Sequence, residues 1–348
     1  MWSYRIRVTM KDNLIIISNE RFYLKENNYY CDNIAEKTLP DGLDKIFTIK
    51  IIARSTNFKR AHCLNVKNIF LFKSLIFYLL KIRKIIKEKN NKFLILSISP
   101  YTFFAILLFA FSNHKPFIYL RSDGFQEYKS ILGFYGPVIY GLMFKIAHKI
   151  GSFISCRHYI LRNNKGMIVS PSELTKNWIV NNNKANLDKI KLLYVGRLKK
   201  EKGIFSFVKM IQENKYNVSL SIVGATKNLL NKIVQKNITL YEIENKENNL
   251  IKFYDEHNIF ILPSYTEGHP MVILESLARL RPVIIFREIE HIIENKKGIF
   301  IAERNTTSFF KIVDHIKNNY KSIQDEMKTN QLPTREMFLK QIGTFISN

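Results

Sequence analysis

The sequence predicts an α/β fold of two Rossmann-like domains, each a parallel sheet covered by helices, and three observations carry that expectation. Short apolar runs alternate with longer helical patterns from end to end. The 348 residues suffice for two ordinary cores. The runs also fall into two sets, separated by the polar, Asn-rich stretch NNNKANLDK at 181–189. We therefore expect a first domain over 1–185, a second over 186–330, and a C-terminal helix over 331–348 that packs back on the first.

The first set of strand candidates is LIIIS (14–18), IFTIKII (46–52), FLILSI (93–98), FIYL (117–120) and GMIVS (166–170). The second is KLLYVG (191–196), VSLSIVG (218–224), ITLYEI (238–243), IFILPS (259–264) and PVIIF (282–286). The apolar run from Phe93 to Phe111 is nearly long enough to span a bilayer, but Ser97, Ser99, Pro100 and Thr102 interrupt it. Ser99 suits an N-cap and Pro100 the first helical position, so this run reads as a buried strand followed by a helix. The segment Phe70–Lys89 reads as one basic amphipathic helix whose apolar stripe covers a sheet; such a helix also suits an anionic membrane surface. A further helix is expected around GPVIYGLMFKIAHK (136–149), packed in the first domain or facing a membrane.

The net charge is +25, and up to Leu187 29 Lys and Arg stand against 11 Asp and Glu. Such a field favours an anionic partner, although Lys-rich usage alone also produces it. No nucleic-acid-binding motif accompanies it, so nucleic acid is not expected. Cys31, Cys63 and Cys156 lie far apart and make neither a disulfide framework nor a metal cluster. The opening MWSYRIRVTMKD lacks an apolar core, so no secretory signal is expected and the reading is cytoplasmic.

Two stretches carry chemistry. In YVGRLKKEKG (194–203) a strand ends at Gly196, a loop brings Arg197 and Lys202, and a helix follows from about Ile204. The two cations stand at the carboxyl end of the first strand of the second domain, where a nucleotide diphosphate would sit. In LPSYTEGHPMVILESLA (262–278) a strand leads through a short loop into a helix that starts near Pro270 and Met271. Its free N–H groups attract phosphate or sugar oxygens. Glu267 lies before the helix and Glu275 inside it, both good acceptors for vicinal hydroxyls. A dehydrogenase is disfavoured, because no G-x-G-x-x-G follows the first strand.

On these residues the second domain resembles the retaining glycosyltransferases of family 4, which have the GT-B fold. The E-x7-E motif stands at Glu267 and Glu275, and the strand-end pattern at Gly196, Arg197, Glu201, Lys202 and Gly203. The resemblance covers about 190–320 well and the first domain in outline. It implies that Arg197 and Lys202 hold the donor diphosphate, that Glu267 contacts the transferred sugar, and that Glu275 binds the ribose. Backbone groups of Gly196, Gly268, His269, Pro270, Met271 and Val272 would complete the donor site. The family's chemistry implies transfer with retention from a UDP- or GDP-sugar to a glycan or lipid-linked acceptor in polysaccharide, capsule or lipopolysaccharide assembly. That places the chain on the inner face of the cytoplasmic membrane.

Two departures stand out. A Gly usually follows the Glu275 helix, where this chain has Leu280 and Arg281. A Gly-rich loop usually follows the first strand, where this chain has SNERFYLKENNYY (18–30), leaving Asn19 and Arg21 as acceptor-side candidates. The first-domain His that many relatives place beside the reacting sugar has its counterpart region at 119–128, which offers Asp123 as a catalytic candidate and Arg121 as an acceptor-side one. No Asp-x-Asp motif is present, so the leaving diphosphate is expected to be stabilised by Arg197, Lys202 and a helix N-terminus, without metal or other cofactor. The alternative reading is a basic binding protein, or an inactive transferase-like subunit, that engages an anionic membrane or nucleic acid.

Overall fold

The computed structural model describes residues 11–180, 185, 187–212, 218–225, 237–242 and 246–348. The chain divides into two compact units, Met1–Ser170 with Met337–Asn348, and Pro171–Glu336. The break falls at 170/171, ahead of the Asn-rich stretch, much of which (181–184 and 186) lies outside the described residues.

The strands of the first unit are β1 (Asn13–Lys25), β2 (Asn28–Cys31), β3 (Thr48–Thr56), β4 (His62–Cys63), β5 (Ile69–Phe72), β6 (Asn91–Leu96), β7 (Phe117–Leu120), β8 (Ser152–Ser155) and β9 (Met167–Ile168). Its helices are α1 (Ala35–Leu43), α2 (Leu75–Ile86), α3 (Pro100–Phe109), α4 (Gly124–Leu132) and α5 (Tyr135–Ile150). The parallel body of the sheet runs β5-β3-β1-β6-β7-β8-β9, so the strand order reverses between β1 and β6. Leu14 and Ile16 face one core, shared with α1 and the C-terminal helix, and Ile15 and Ile17 face the other, shared with α2, α3 and α5. Burial on both faces is why LIIIS reads as an unbroken apolar run.

The first unit departs from the sequence expectations at three places. The stretch 18–30 is no loop. After an irregularity between Ile17 and Arg21, β1 continues along β3 and then pairs antiparallel with β2. Glu26 and Asn27, with φ of 49° and 61°, make the two-residue hairpin turn that matches strand twist. Secondly, Phe70–Lys89 is not one helix: β5 takes its start, and Ser74, accepting from the Ile76 N–H, caps the shorter α2. Thirdly, β8 was absent from the strand candidates; its SFIS is too short and polar to stand out beside the long α5. The reading of 93–111 holds, with Ser99 and Pro100 opening α3 through a capping box with Thr102.

The second unit has β10 (Ile190–Val195), β11 (Val218–Ala225), β12 (Ile238–Glu242), β13 (Ile259–Leu262), β14 (Val283–Phe286) and β15 (Ile299–Ala302). Its helices are α6 (Lys176–Ile179), α7 (Ile204–Gln212), α8 (Glu247–Glu256), α9 (Met271–Ala278), α10 (Thr306–Asn318) and α11 (Tyr320–Met327). All six strands are parallel, in the order β12-β11-β10-β13-β14-β15. The order reverses between β10 and β13, the topological switch point where ligands of open α/β sheets bind. β15 was also missing from the candidates. The last helix, α12 (Arg335–Ser347), buries Phe338, Ile342 and Ile346 in the core of the first unit.

Leu280, which stands where the family resemblance implies a Gly, has φ +54°. A left-handed Leu costs roughly 1–2 kcal/mol. The adjoining Arg279 and Arg281 anchor the turn. Arg279 makes a two-pronged pair with Asp255 at 2.8 and 2.9 Å, and Arg281 donates to the carbonyls of Tyr254 and His257.

Candidate donor site at the switch point of the second unit

β10 and β13 deliver the two chemistry-bearing loops side by side. After β10 the chain turns at Gly196 and runs through a single 3-10 turn at Lys200–Lys202 into α7. Gly203 closes that turn at φ +64°, and a Cβ there would stand 1.9 Å from the Pro263 carbonyl oxygen, so only glycine fits. The Tyr265 N–H donates to the Glu201 carbonyl at 2.9 Å, tying the loop after β13 to the loop after β10. The buried Tyr194 hydroxyl donates to the Arg197 carbonyl at 3.0 Å, fixing the backbone that aims Arg197. The Arg197 side chain is exposed and pairs with none of the described residues.

Lys202 meets Glu267 at 2.6 Å, and the same carboxylate oxygen accepts from the Ser264 hydroxyl at 2.6 Å. Oε1 of Glu267 is thus held in place, and Oε2 keeps its acceptor capacity. His291 Nε2 donates to the Glu267 carbonyl at 2.9 Å, and Arg304 donates to the carbonyls of Pro263 and Ser264 while lying 4.1 Å over the Tyr265 ring. These partners were not singled out from the sequence. Ser264 was visible as the residue ending IFILPS, but Arg304 and His291 sit 37 and 24 residues from Glu267 with no motif to mark them.

Pro270 caps α9 in extended conformation; the Ile273 N–H reaches the Pro270 carbonyl at 3.2 Å, and the Met271 and Val272 N–H groups ahead of it have no carbonyl one turn back within the helix. Gly268, His269, Pro270, Met271 and Val272 form the approach to it and its first turn, and His269 Nε2 donates to the Pro171 carbonyl at 2.8 Å. Further into the helix, Glu275 is buried and accepts from the Tyr254 hydroxyl at 2.7 Å. Burial pushes its carboxyl up to about 7; the Tyr254 hydrogen bond pulls the other way, and the charge of Glu173 adds to the rise. Among the described residues no group of three His, Cys, Asp or Glu is placed to hold a metal.

The catalytic candidate Asp123 and the acceptor-side candidates lie in the first unit and are not drawn into one cluster of free groups. Asp123 caps α4, accepting from the Phe125 N–H at 3.0 Å, and pairs with Arg162 at 2.9 Å. Arg121 pairs at 2.9 Å with Glu36, which is only 1% exposed in its side chain, and reaches Ser97 at the end of β6. Asn19 accepts from Arg54 at 3.2 Å, and Arg21 is exposed. Glu20, which the sequence did not single out, joins this charged group in the later part of β1; burial raises its carboxyl, and the nearby Glu36 charge adds to that.

The fold is of GT-B type: two parallel-sheet units, the second carrying the candidate site at its switch point. Residues 176–331 match the family model of glycosyl transferases group 1. Over 168 residues, 45% of this chain, the sequence is 30% identical to an uncharacterized glycosyltransferase of Haemophilus influenzae, spanning 46% of that relative. Over 146 residues it is 31% identical to the capsular polysaccharide biosynthesis glycosyltransferase CapM of Staphylococcus aureus, covering 38% of this chain and 36% of CapM. The chain thus matches less than half the length of these relatives.

Among solved structures, Anabaena HepE in complex with UDP and glucose superposes with a TM-score of 0.66 at 11% identity, over 97% of this chain and 99% of that one. The lipopolysaccharide outer core galactosyltransferase WaaB gives 0.64 at 12%, over 97% and 100%. At such identities the likeness shows the fold alone. A Listeria monocytogenes protein named for UDP-N-acetylglucosamine 2-epimerase activity makes the point, superposing at 0.54 with 13% identity over 94% and 93%.

Proposed function

We propose that the chain transfers a sugar from a UDP- or GDP-sugar to an acceptor hydroxyl, with retention at the anomeric carbon and without a metal ion, in the assembly of a surface polysaccharide, capsule or lipopolysaccharide. The observation that carries this reading is the convergence of Arg197, the Lys202–Glu267 pair and the start of α9 at one switch point. CapM and WaaB, by their names, act in capsule and lipopolysaccharide synthesis, which supports the acceptor class.

In this reading the bond from the anomeric carbon to the β-phosphate oxygen breaks and a bond to the acceptor oxygen forms. Negative charge grows on the departing diphosphate. Arg197, free to make two parallel hydrogen bonds, and Lys202 neutralise it, together with the N-terminal dipole of α9. Glu267 orients the sugar through Oε2, and Glu275 takes the ribose hydroxyls. Neither carboxylate acts as nucleophile. The acceptor's proton passes to the departing phosphate oxygen when the acceptor enters on the leaving-group side, which is how retention, implied by the family resemblance, is served. The strong positive charge of the first unit suits an acceptor carried at an anionic membrane surface.

Thermal shifts of the purified protein with UDP-, GDP- and ADP-sugars in a chelator test the reading. A rise with one nucleotide class, lost in Arg197→Ala and Glu275→Ala, is expected. No shift with any donor, while polyanions bind, would instead favour a basic binding protein.

A further inference from the structure

We infer that the hairpin of α4 and α5 is the element that docks this chain on an anionic lipid surface; this deepens the membrane-borne acceptor proposed above and rests on that reading only for the acceptor's location. α5 is apolar on two opposite sides. Gly136, Tyr140, Met143, Phe144 and Ala147 point inward, at the spacing of a helix face packed on a sheet. Tyr135, Val138, Ile139, Leu142 and Ile146 repeat the same spacing on the other side and are exposed. An ordinary surface helix carries one such stripe, not two.

The outward stripe continues into the corner between the helices. Ile131 is 73% exposed, Phe134 84% and Tyr135 72%. Gly133 turns that corner at φ +61° with open space around it. The hairpin beneath is rigid rather than loose. Phe125 packs edge-on against Tyr140 at 4.9 Å, Arg162 lies 4.8 Å over Phe125, and Gly136 is pressed so closely on the Tyr128 backbone that a Cβ would come within 2.0 Å of its carbonyl oxygen. Large apolar side chains are therefore held out in water by a well-packed platform, a contiguous display that single surface hydrophobics do not produce.

The charges around the stripe choose the partner. Lys129, Lys145 and Lys149 pair with none of the described residues, and Glu127 is the sole acidic residue on α4 and α5. Lysines are depleted at protein interfaces, and a second copy seated on the same stripe would oppose its own lysines. Apolar side chains at the acyl boundary with lysines at the level of anionic headgroups match an interfacial anchor. Among the described residues no helix is long and apolar enough to cross a membrane.

The test is co-sedimentation of the full chain with vesicles of phosphatidylcholine alone and of equal parts phosphatidylcholine and phosphatidylglycerol. Binding to the anionic vesicles only, weakening with salt, is expected. Phe134→Ser with Leu142→Ser is expected to reduce it about tenfold or more, from the apolar area removed. Lys145→Gln with Lys149→Gln is expected to reduce it by a similar factor, from the lost attraction to anionic headgroups. A tryptophan introduced as Leu142→Trp should blue-shift on the anionic vesicles. Thermal shift with the donor nucleotide, unchanged in these variants, reports that they fold, and its failure in all proteins would count against sugar transfer without touching the docking result. Vesicle binding that ignores Phe134→Ser with Leu142→Ser overturns the proposal. So does absence of vesicle binding, or a concentration-dependent dimer that these substitutions abolish.

Discussion

The two units are built on the same plan and treat their switch points in opposite ways. In the second unit β10 and β13 end cleanly, and short loops carry Arg197, Lys202 and Glu267 to the strand ends. In the first unit β1 overruns its parallel neighbour β6 by seven residues and turns into a hairpin, and the ground at the strand ends is occupied by Glu36, Arg121, Glu20 and Arg54 engaged with one another or with neighbouring side chains. On the proposed reading the contrast has a physical reason: a diphosphate and a ribose would demand the same cations and carboxylates whatever the sugar, whereas an acceptor surface would be rebuilt for each acceptor.

The contrast is most exposed to refutation at Arg197. Arg197→Ala should lower donor turnover by about 100- to 1,000-fold, the loss seen when one preorganised donor to a developing anion is removed. Arg197→Lys should recover only part of it, since the two-pronged contact is lost. Steady-state rates with the donor found by thermal shift measure both, and an unaffected Arg197→Ala would move the chemistry elsewhere. Gly203→Ala comes next: it forces a Cβ into the Pro263 carbonyl at positive φ and should destabilise the second unit by about 2 kcal/mol or more, read as a lower urea midpoint.

Glu275 gives a pH signature of middle size. Between its ordinary value of 4.5 and about 7, the folded protein keeps a proton on this carboxyl that the unfolded chain has released. Stability contributed by this group therefore falls as pH rises across that window and is level above it, and Glu275→Gln should remove the slope in urea melts. Nucleotide affinity should run the other way, rising as Glu275 ionises to accept the ribose hydroxyls. The smallest effect belongs to the first unit. Replacing Glu26 and Asn27 by Asn and Gly suits their positive φ and should stabilise the hairpin by about 0.5 kcal/mol while leaving the donor thermal shift unmoved.

How much of this was legible follows the same line. The loops after β10 and β13 could be read because their glycine, cations and carboxylates stand in one short stretch each, flanked by unmistakable strand and helix patterns. Tyr254, Arg304 and His291 could not, because each reaches the site from a distant element through hydrogen bonds or ring contacts that leave no spacing in the sequence. The hairpin at 18–31 was hidden for a different reason. Its strand is rich in Asn, Glu and Lys, and its turn uses Glu26 and Asn27 where the recognisable signal would be Asn-Gly. β5 was hidden because the apolar run IFLF merges into the apolar start of α2, with only Lys73 and Ser74 marking the break.

Hydrogen exchange read by mass spectrometry, with and without a saturating nucleotide in chelator, decides whether the nucleotide binds at the switch point of the second unit. A nucleotide held by Arg197, Lys202, Glu275 and the start of α9 should slow exchange in peptides covering 196–204 and 268–275, and Arg197→Ala should abolish that protection. Protection confined to 18–31 or 97–123, or its absence with UDP, GDP and ADP alike, would contradict a donor site at the switch point of the second unit.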